Sequence, residues 1–141
     1  MKRALACLVI VATLCGGGCS LMDPNSKSTP KVDLVHGTWV AQDIDGVAVI
    51  DKAQSTLQFG NDGRVSGRGA CNNYSGTVEL KGSTMIFGQL ASTRMACPHP
   101  VMDQETRFMA ALQATRTYRM DEGNKLVLSD ATGKPRLRFS R

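Results

Sequence analysis

Leu57-Gln58-Phe59-Gly60-Asn61-Asp62-Gly63-Arg64-Val65 is the stretch that decides the fold. Leu57 and Phe59 alternate with a polar neighbour, the period of two that turns one face of a strand toward a core. Asn61-Asp62-Gly63 then supplies residues that tolerate positive backbone dihedrals, and Val65 opens the return strand. The same punctuation recurs farther along. Val78 and Leu80 alternate with Thr77 and Glu79 before Lys81-Gly82-Ser83 turns into Met85-Ile86-Phe87. Glu122-Gly123-Asn124 joins a strand around Tyr118 to Leu126-Val127-Leu128, and Thr132-Gly133-Lys134 leads to Leu137 and Phe139. Short strands broken by a turn every eight to twelve residues or so predict a mainly β domain, a small antiparallel meander built as a sandwich or a barrel.

One segment departs from that period. Between Asp103 and Ala114 the apolar residues Phe108, Met109 and Leu112 follow helical spacing, with Val101 seven positions before Phe108. Pro98 and Pro100 are expected to block a helix just upstream, and Asp103 to cap its first turn. The pattern predicts one short α-helix late in the domain, lying across an opening of the sheet. Phe108 and Leu112 are its expected core anchors, each worth about 2–5 kcal/mol against truncation to Ala.

At the other end, Lys2 and Arg3 precede an apolar run from Ala4 to Leu14, then Gly16, Gly17, Gly18 and Cys19. That order reads as a secretory leader, and the run is too short for a membrane-spanning helix. Residues 1–18 are therefore read as a lipoprotein signal peptide, with Cys19 the residue that is acylated. Gly16 stands where such leaders usually carry an aliphatic residue. Residues 20–31 are rich in Ser, Pro, Asn and Lys, too polar to order themselves, and form with Cys19 a tether of at most about 40 Å. Ser20 lacks the aspartate of inner-membrane retention. The expected location is the periplasmic side of the outer membrane, or the periplasm itself if Cys19 carries no lipid. Residues 32–141 make one domain, expected to be monomeric.

Charge excludes one class of partner. The chain carries a formal net charge of +5, from which removal of Lys2 and Arg3 subtracts two. The remainder is too dispersed for a nucleic-acid face. Arg64 with Arg68, and Arg136 with Arg138, share strand faces and read as solvated. Catalysis has little to build on: the two histidines, His36 and His99, sit at a strand start and between prolines, with no nucleophile grouped beside them. Asp43 with Asp45 and Asp121 with Glu122 read as loop charges rather than acid/base pairs. No phosphate loop, zinc signature or nucleotide fingerprint occurs, so neither cofactor nor metal is expected.

Of five cysteines, Cys7 and Cys15 leave with the leader and Cys19 is spent on lipid. Cys71 and Cys97 remain, and an oxidising compartment would join them. The closed loop of about 27 residues would stabilise the domain by about 3–4 kcal/mol. Two other readings stay open: a pair of buried thiols, or a metal held by Cys71, Cys97 and His99 with a fourth ligand missing.

The run Gly63 to Gly76, reading G-R-V-S-G-R-G-A-C-N-N-Y-S-G, together with S-T-R-M-A-C-P from Ser92 to Pro98, then Glu105, Phe108 and Leu112, resembles the META domain family. The opening Gly37-Thr38-Trp39 fits as well, and the resemblance spans roughly Leu34 to Phe139. It implies a β-rich, barrel-like fold with a short helix and an association with heat shock, envelope stress and novobiocin resistance. It implies no known reaction.

The motif residues also have a direct physical reading. Gly67, Gly69 and Gly76 mark bulges or close backbone approaches. Asn72 and Asn73 can satisfy loose backbone groups, and Tyr74 can bury its ring while its hydroxyl finds a partner. A Cys71–Cys97 bond would bring Thr93, Arg94 and Met95 beside Asn72 and Tyr74. Asn72, Asn73, Tyr74, Thr93 and Arg94 are thus the expected binding surface, competing with the simpler view that the cluster is a structural knot. The functional expectation is a non-enzymatic, membrane-tethered stress-response lipoprotein that binds an envelope protein. A small apolar-ligand carrier with a barrel cavity is the alternative, and an enzyme the remotest.

Overall fold

The computed structural model describes residues 33–141; the leader, Cys19 and the tether lie outside the described residues. Ten antiparallel strands and one helix follow in the order β1 (Trp39–Ile44), β2 (Val47–Ala48), β3 (Thr56–Phe59), β4 (Arg64–Arg68), β5 (Asn73–Lys81), β6 (Thr84–Phe87), β7 (Ala91–Ser92), α1 (His99–Ala114), β8 (Thr117–Asp121), β9 (Lys125–Ser129) and β10 (Pro135–Ser140). The sheet runs β10-β9-β8-β6-β5-β4-β3-β1, and β10 pairs with β1 to close it into a ring. β2 continues from β1 as a hairpin, and β7 pairs with β5. Closure removes most of the exposed edge that an open meander would leave.

The turn chemistry works as the sequence implies. Gly63, Gly82, Gly123 and Gly133 all have positive φ, and Asn124 joins Gly123 there at φ 56°. Asp45 and Gly46, at φ 54° and 80°, form a further hairpin turn between β1 and β2 that the strand reading passed over. Alternation delivers Leu57, Phe59, Val65, Val78, Met85 and Phe87 to the interior. Leu80 has the parity of an inward residue yet is exposed, although its register partner Met85 is fully buried.

β6 and β8 share a single register pair, Thr84 with Thr117, and α1 packs against β10, β1 and β6. Phe108 makes edge-on contacts with Tyr74 at 5.9 Å and Phe139 at 6.2 Å between ring centroids. Trp39, Leu57, Met85, Phe108, Leu112, Leu126, Leu128, Leu137 and Phe139 are fully buried in one cluster, so side chains occupy the barrel interior.

Two expectations need correction. The helix starts at His99, four residues before Asp103, with Pro98 at its N-cap and Pro100 in its first turn. Proline is tolerated there because first-turn N–H groups have no intrahelical acceptor. Asp103 caps nothing and instead pairs with His99 Nδ1 at 2.9 Å. Arg136 and Arg138 are not simply solvated either. Across the closing seam Arg138 meets Asp43 at 3.3 Å, while Arg136 pairs with Asp45 and lies 3.8 Å from Asp130. Non-adjacent acids and bases come together because β1 and β10, the first and last strands of the described residues, are neighbours.

Candidate functional site

The end of β4 and the start of β5 are joined by Gly69-Ala70-Cys71-Asn72, all buried. Here the motif glycines are steric requirements. A Cβ at Gly67 would collide with the Thr56 carbonyl and lie 2.9 Å from the Tyr74 hydroxyl oxygen; one at Gly69 would lie 2.7 Å from Glu105 Cγ. Gly76 gives the same clearance to the Gln89-Leu90 backbone crossing β5. Tyr74 buries its ring and donates its hydroxyl to the Thr56 carbonyl at 2.7 Å. Burial pushes the Tyr74 phenol far above its ordinary range, so it stays neutral.

Glu105 on α1 reaches into this loop. Its Oε2 accepts the backbone N–H of Cys71 at 2.9 Å and of Asn72 at 2.6 Å, and its Oε1 accepts the Asn72 side-chain amide at 2.7 Å. Asn72, 2% exposed, extends the chain of contacts to the next segment. Its Oδ1 accepts the Met95 N–H at 2.6 Å and the Thr93 hydroxyl at 2.9 Å, and its Nδ2 donates to the Met95 carbonyl at 3.3 Å. Cys71 and Cys97 are joined by a disulfide, with Cα atoms 6.1 Å apart. The thiols are therefore spent on each other, which removes two of the three ligands that a Cys71, Cys97 and His99 metal site would need. One position earlier on α1, Gln104 donates to the Ala53 carbonyl at 2.6 Å and accepts the Ile50 N–H at 2.7 Å, tying down the loop before β3.

Of the five residues expected to form a surface, the disulfide gathers all five but buries two. Asn72 and Tyr74 face inward and are saturated, whereas Asn73, Thr93 and Arg94 are exposed. Residues 91–96 lie across the knot as a strap, exposed throughout, with Met95 at 54% the most open of the large apolar residues described. Sequence motifs alone do not single out Gln104 and give Glu105 no role. Both fall on the helical stripe that holds Phe108 and Leu112, and polar residues on a core-facing stripe signal a buried hydrogen-bonding duty. His36 pairs with Asp33 at 2.6 Å, and Asp121 pairs with Arg119 at 2.9 Å. An open groove of about 530 Å³ runs along β4 and β5, bounded by Arg64, Val65, Ser66, Ser75, Gly76 and Thr77.

Comparison with known proteins agrees with this geometry. The model of one family, described as the META domain, matches residues 32–141. The heat shock protein HslJ of Escherichia coli (strain K12) is 30% identical over 105 residues, covering 74% of this chain and 71% of HslJ. An NMR structure of a protein from Burkholderia xenovorans shares 30% identity at a TM-score of 0.59, over 77% of this chain and 83% of that one. A crystal structure of a DUF4847 family protein from Bacteroides vulgatus ATCC 8482 has a TM-score of 0.57 over 77% of this chain and 94% of its own, at 16% identity, a likeness of fold alone.

Proposed function

This chain belongs to the META domain family, and from that premise we propose that it is an envelope-tethered stress-response domain that works by holding a protein partner rather than by catalysis. Kinship with a heat shock protein supports the stress assignment. The leader and Cys19 support a lipid anchor, with the domain on the periplasmic side of the outer membrane. One observation carries the binding reading: the buried polar residues of the motif, Asn72 and Glu105, spend their hydrogen-bonding capacity on fixing a strap whose own side chains face solvent. A polar cluster built for chemistry would instead leave a group aimed at an open cleft. Carriage of an apolar ligand would need an enclosed hollow, and large side chains occupy the barrel. The outer groove is open rather than enclosed, and it mixes hydroxyls and a guanidinium with apolar surface that includes Val65.

The test is a deletion strain challenged with heat and envelope-active antibiotics, complemented by wild type, Cys19→Ala and Arg94→Asp. Wild type should restore tolerance and Arg94→Asp should not. Full rescue by Cys19→Ala would remove the anchor from the account, and a deletion without phenotype would remove the stress role.

A further inference from the structure

Past Ser92, where β7 ends, the strap keeps the bonding pattern of an edge strand, made on one side only. Thr93 donates its N–H to the Asn73 carbonyl at 3.0 Å, and Met95 both donates to and accepts from the Asn72 side chain. In extended chain the groups of alternate residues point the same way, so the N–H and C=O of Arg94 point outward. Among the described residues neither has a hydrogen-bond partner. The Arg94 side chain is exposed and enters no ion pair among those residues. Cys97, bonded to Cys71, and Pro98 fix the strap's far end.

An arginine offered outward on rigid, extended backbone is the form in which a serine endopeptidase reads a substrate. We infer that the Thr93–Ala96 strap is a substrate-mimicking loop that occupies the cleft of an arginine-selective serine endopeptidase, with Arg94 in its specificity pocket, and restrains that enzyme. The proposal rests on the binding reading above and names the partner's chemistry. Such a pocket carries an acidic side chain at its base, complementary to the unpaired guanidinium. Main-chain bonding in the cleft would engage the Arg94 N–H and C=O that the fold leaves open. Because the loop is held before binding, little ordering cost remains at docking, which is how enzyme–inhibitor pairs reach high affinity at ordinary interface size.

The same bonds explain why the loop would resist cleavage. Attack on the Arg94 carbonyl forms the serine ester, breaks the Arg94–Met95 C–N bond and passes the serine proton to the Met95 nitrogen. That nitrogen is held by Asn72 Oδ1, and its segment by the Cys71–Cys97 bond, so the new amine stays beside the ester. Reversal restores the peptide and the serine hydroxyl. Water, which would yield an Arg94 carboxylate and a free Met95 amine, is outcompeted by the retained amine.

The experiment uses the purified full-length protein with its disulfide intact, trypsin as the probe and a small chromogenic arginine amide as the reporter. Wild type should inhibit competitively, Arg94→Lys should retain inhibition, and Arg94→Ala should weaken it at least tenfold. Lys81→Ala, at the exposed end of β5, should match wild type. These side chains are exposed, and circular dichroism checks that each variant is folded. Reduced protein should turn from inhibitor to substrate, cut after Arg94. Absence of inhibition by folded wild type, inhibition that survives Arg94→Ala, or prompt cleavage after Arg94 in the oxidised protein would each overturn the proposal. This readout needs no phenotype, so a silent deletion strain would sink the stress reading alone, and a failed titration this inference alone.

Discussion

Glu105 and Asn72, 33 positions apart, are bound twice: the carboxylate takes the Asn72 backbone N–H at 2.6 Å and its side-chain amide at 2.7 Å. The helix, the β4–β5 loop and the strap thereby become one unit, since Asn72 passes the constraint on to Met95.

Removing the carboxylate should be costly. Glu105→Ala would strand the N–H groups of Cys71 and Asn72 in a buried loop, at about 1–3 kcal/mol for each unsatisfied donor. Glu105→Gln keeps one acceptor oxygen and should lose less. Urea denaturation of the two variants against wild type measures the order.

The disulfide acts on the same loop from outside. Cys71→Ser with Cys97→Ser should lower stability by about 3–4 kcal/mol through the unfolded chain's regained freedom. Excess dithiothreitol should bring wild type to the variant's urea midpoint, while the variant itself should not respond to reductant.

How much of this was legible beforehand depended on the range of the contact. Local signals succeeded: Asn61-Asp62-Gly63 gave the turn, Leu57 and Phe59 the inward face, and Phe108 with Leu112 the helix stripe. Pairings between distant segments did not show. Nothing in Asp43 or Asp45 announces Arg138 and Arg136, because only barrel closure makes first and last strands neighbours. Pro98 and Pro100 misled about the helix start, since proline disfavours a helix interior but suits its first turn. Asn72 and Arg94 were both legible as members of one cluster. That one is buried and the other displayed depends on which way the strap lies.

Acid should weaken the β9–β10 turn in a defined window. The Thr132 hydroxyl, helped by the N–H groups of Thr132 and Lys134 and by nearby Arg136, holds the Asp130 carboxyl below the usual carboxylate range. A folded-state value below the unfolded one means stabilisation that is complete above the unfolded value of 3.8 and fades as pH falls through the folded value. Asp130→Asn should therefore be less stable than wild type at neutral pH, with the gap closing on acidification below about pH 4. Urea midpoints across that range supply the check.

Arg141 clasps the segment from Asp33 to His36. Its guanidinium lies 4.1 Å from the centre of the Trp39 ring and donates to the carbonyls of His36, at 2.7 Å, and Asp33. Arg141→Ala should cost about 1–2 kcal/mol. Trp39 is the sole tryptophan, so its fluorescence reports the change directly: the variant's emission should shift red as residues 33–36 loosen.

The central claim is that Asn72 locks the strap with alternate backbone groups inward and outward. Amide hydrogen exchange of the native, oxidised protein resolves this residue by residue. Thr93 and Met95 should exchange slowly and Arg94, between them, at close to the rate of an open chain. Rapid exchange at Met95 under native conditions would contradict the account, because the bond to Asn72 Oδ1 would then not hold the strap.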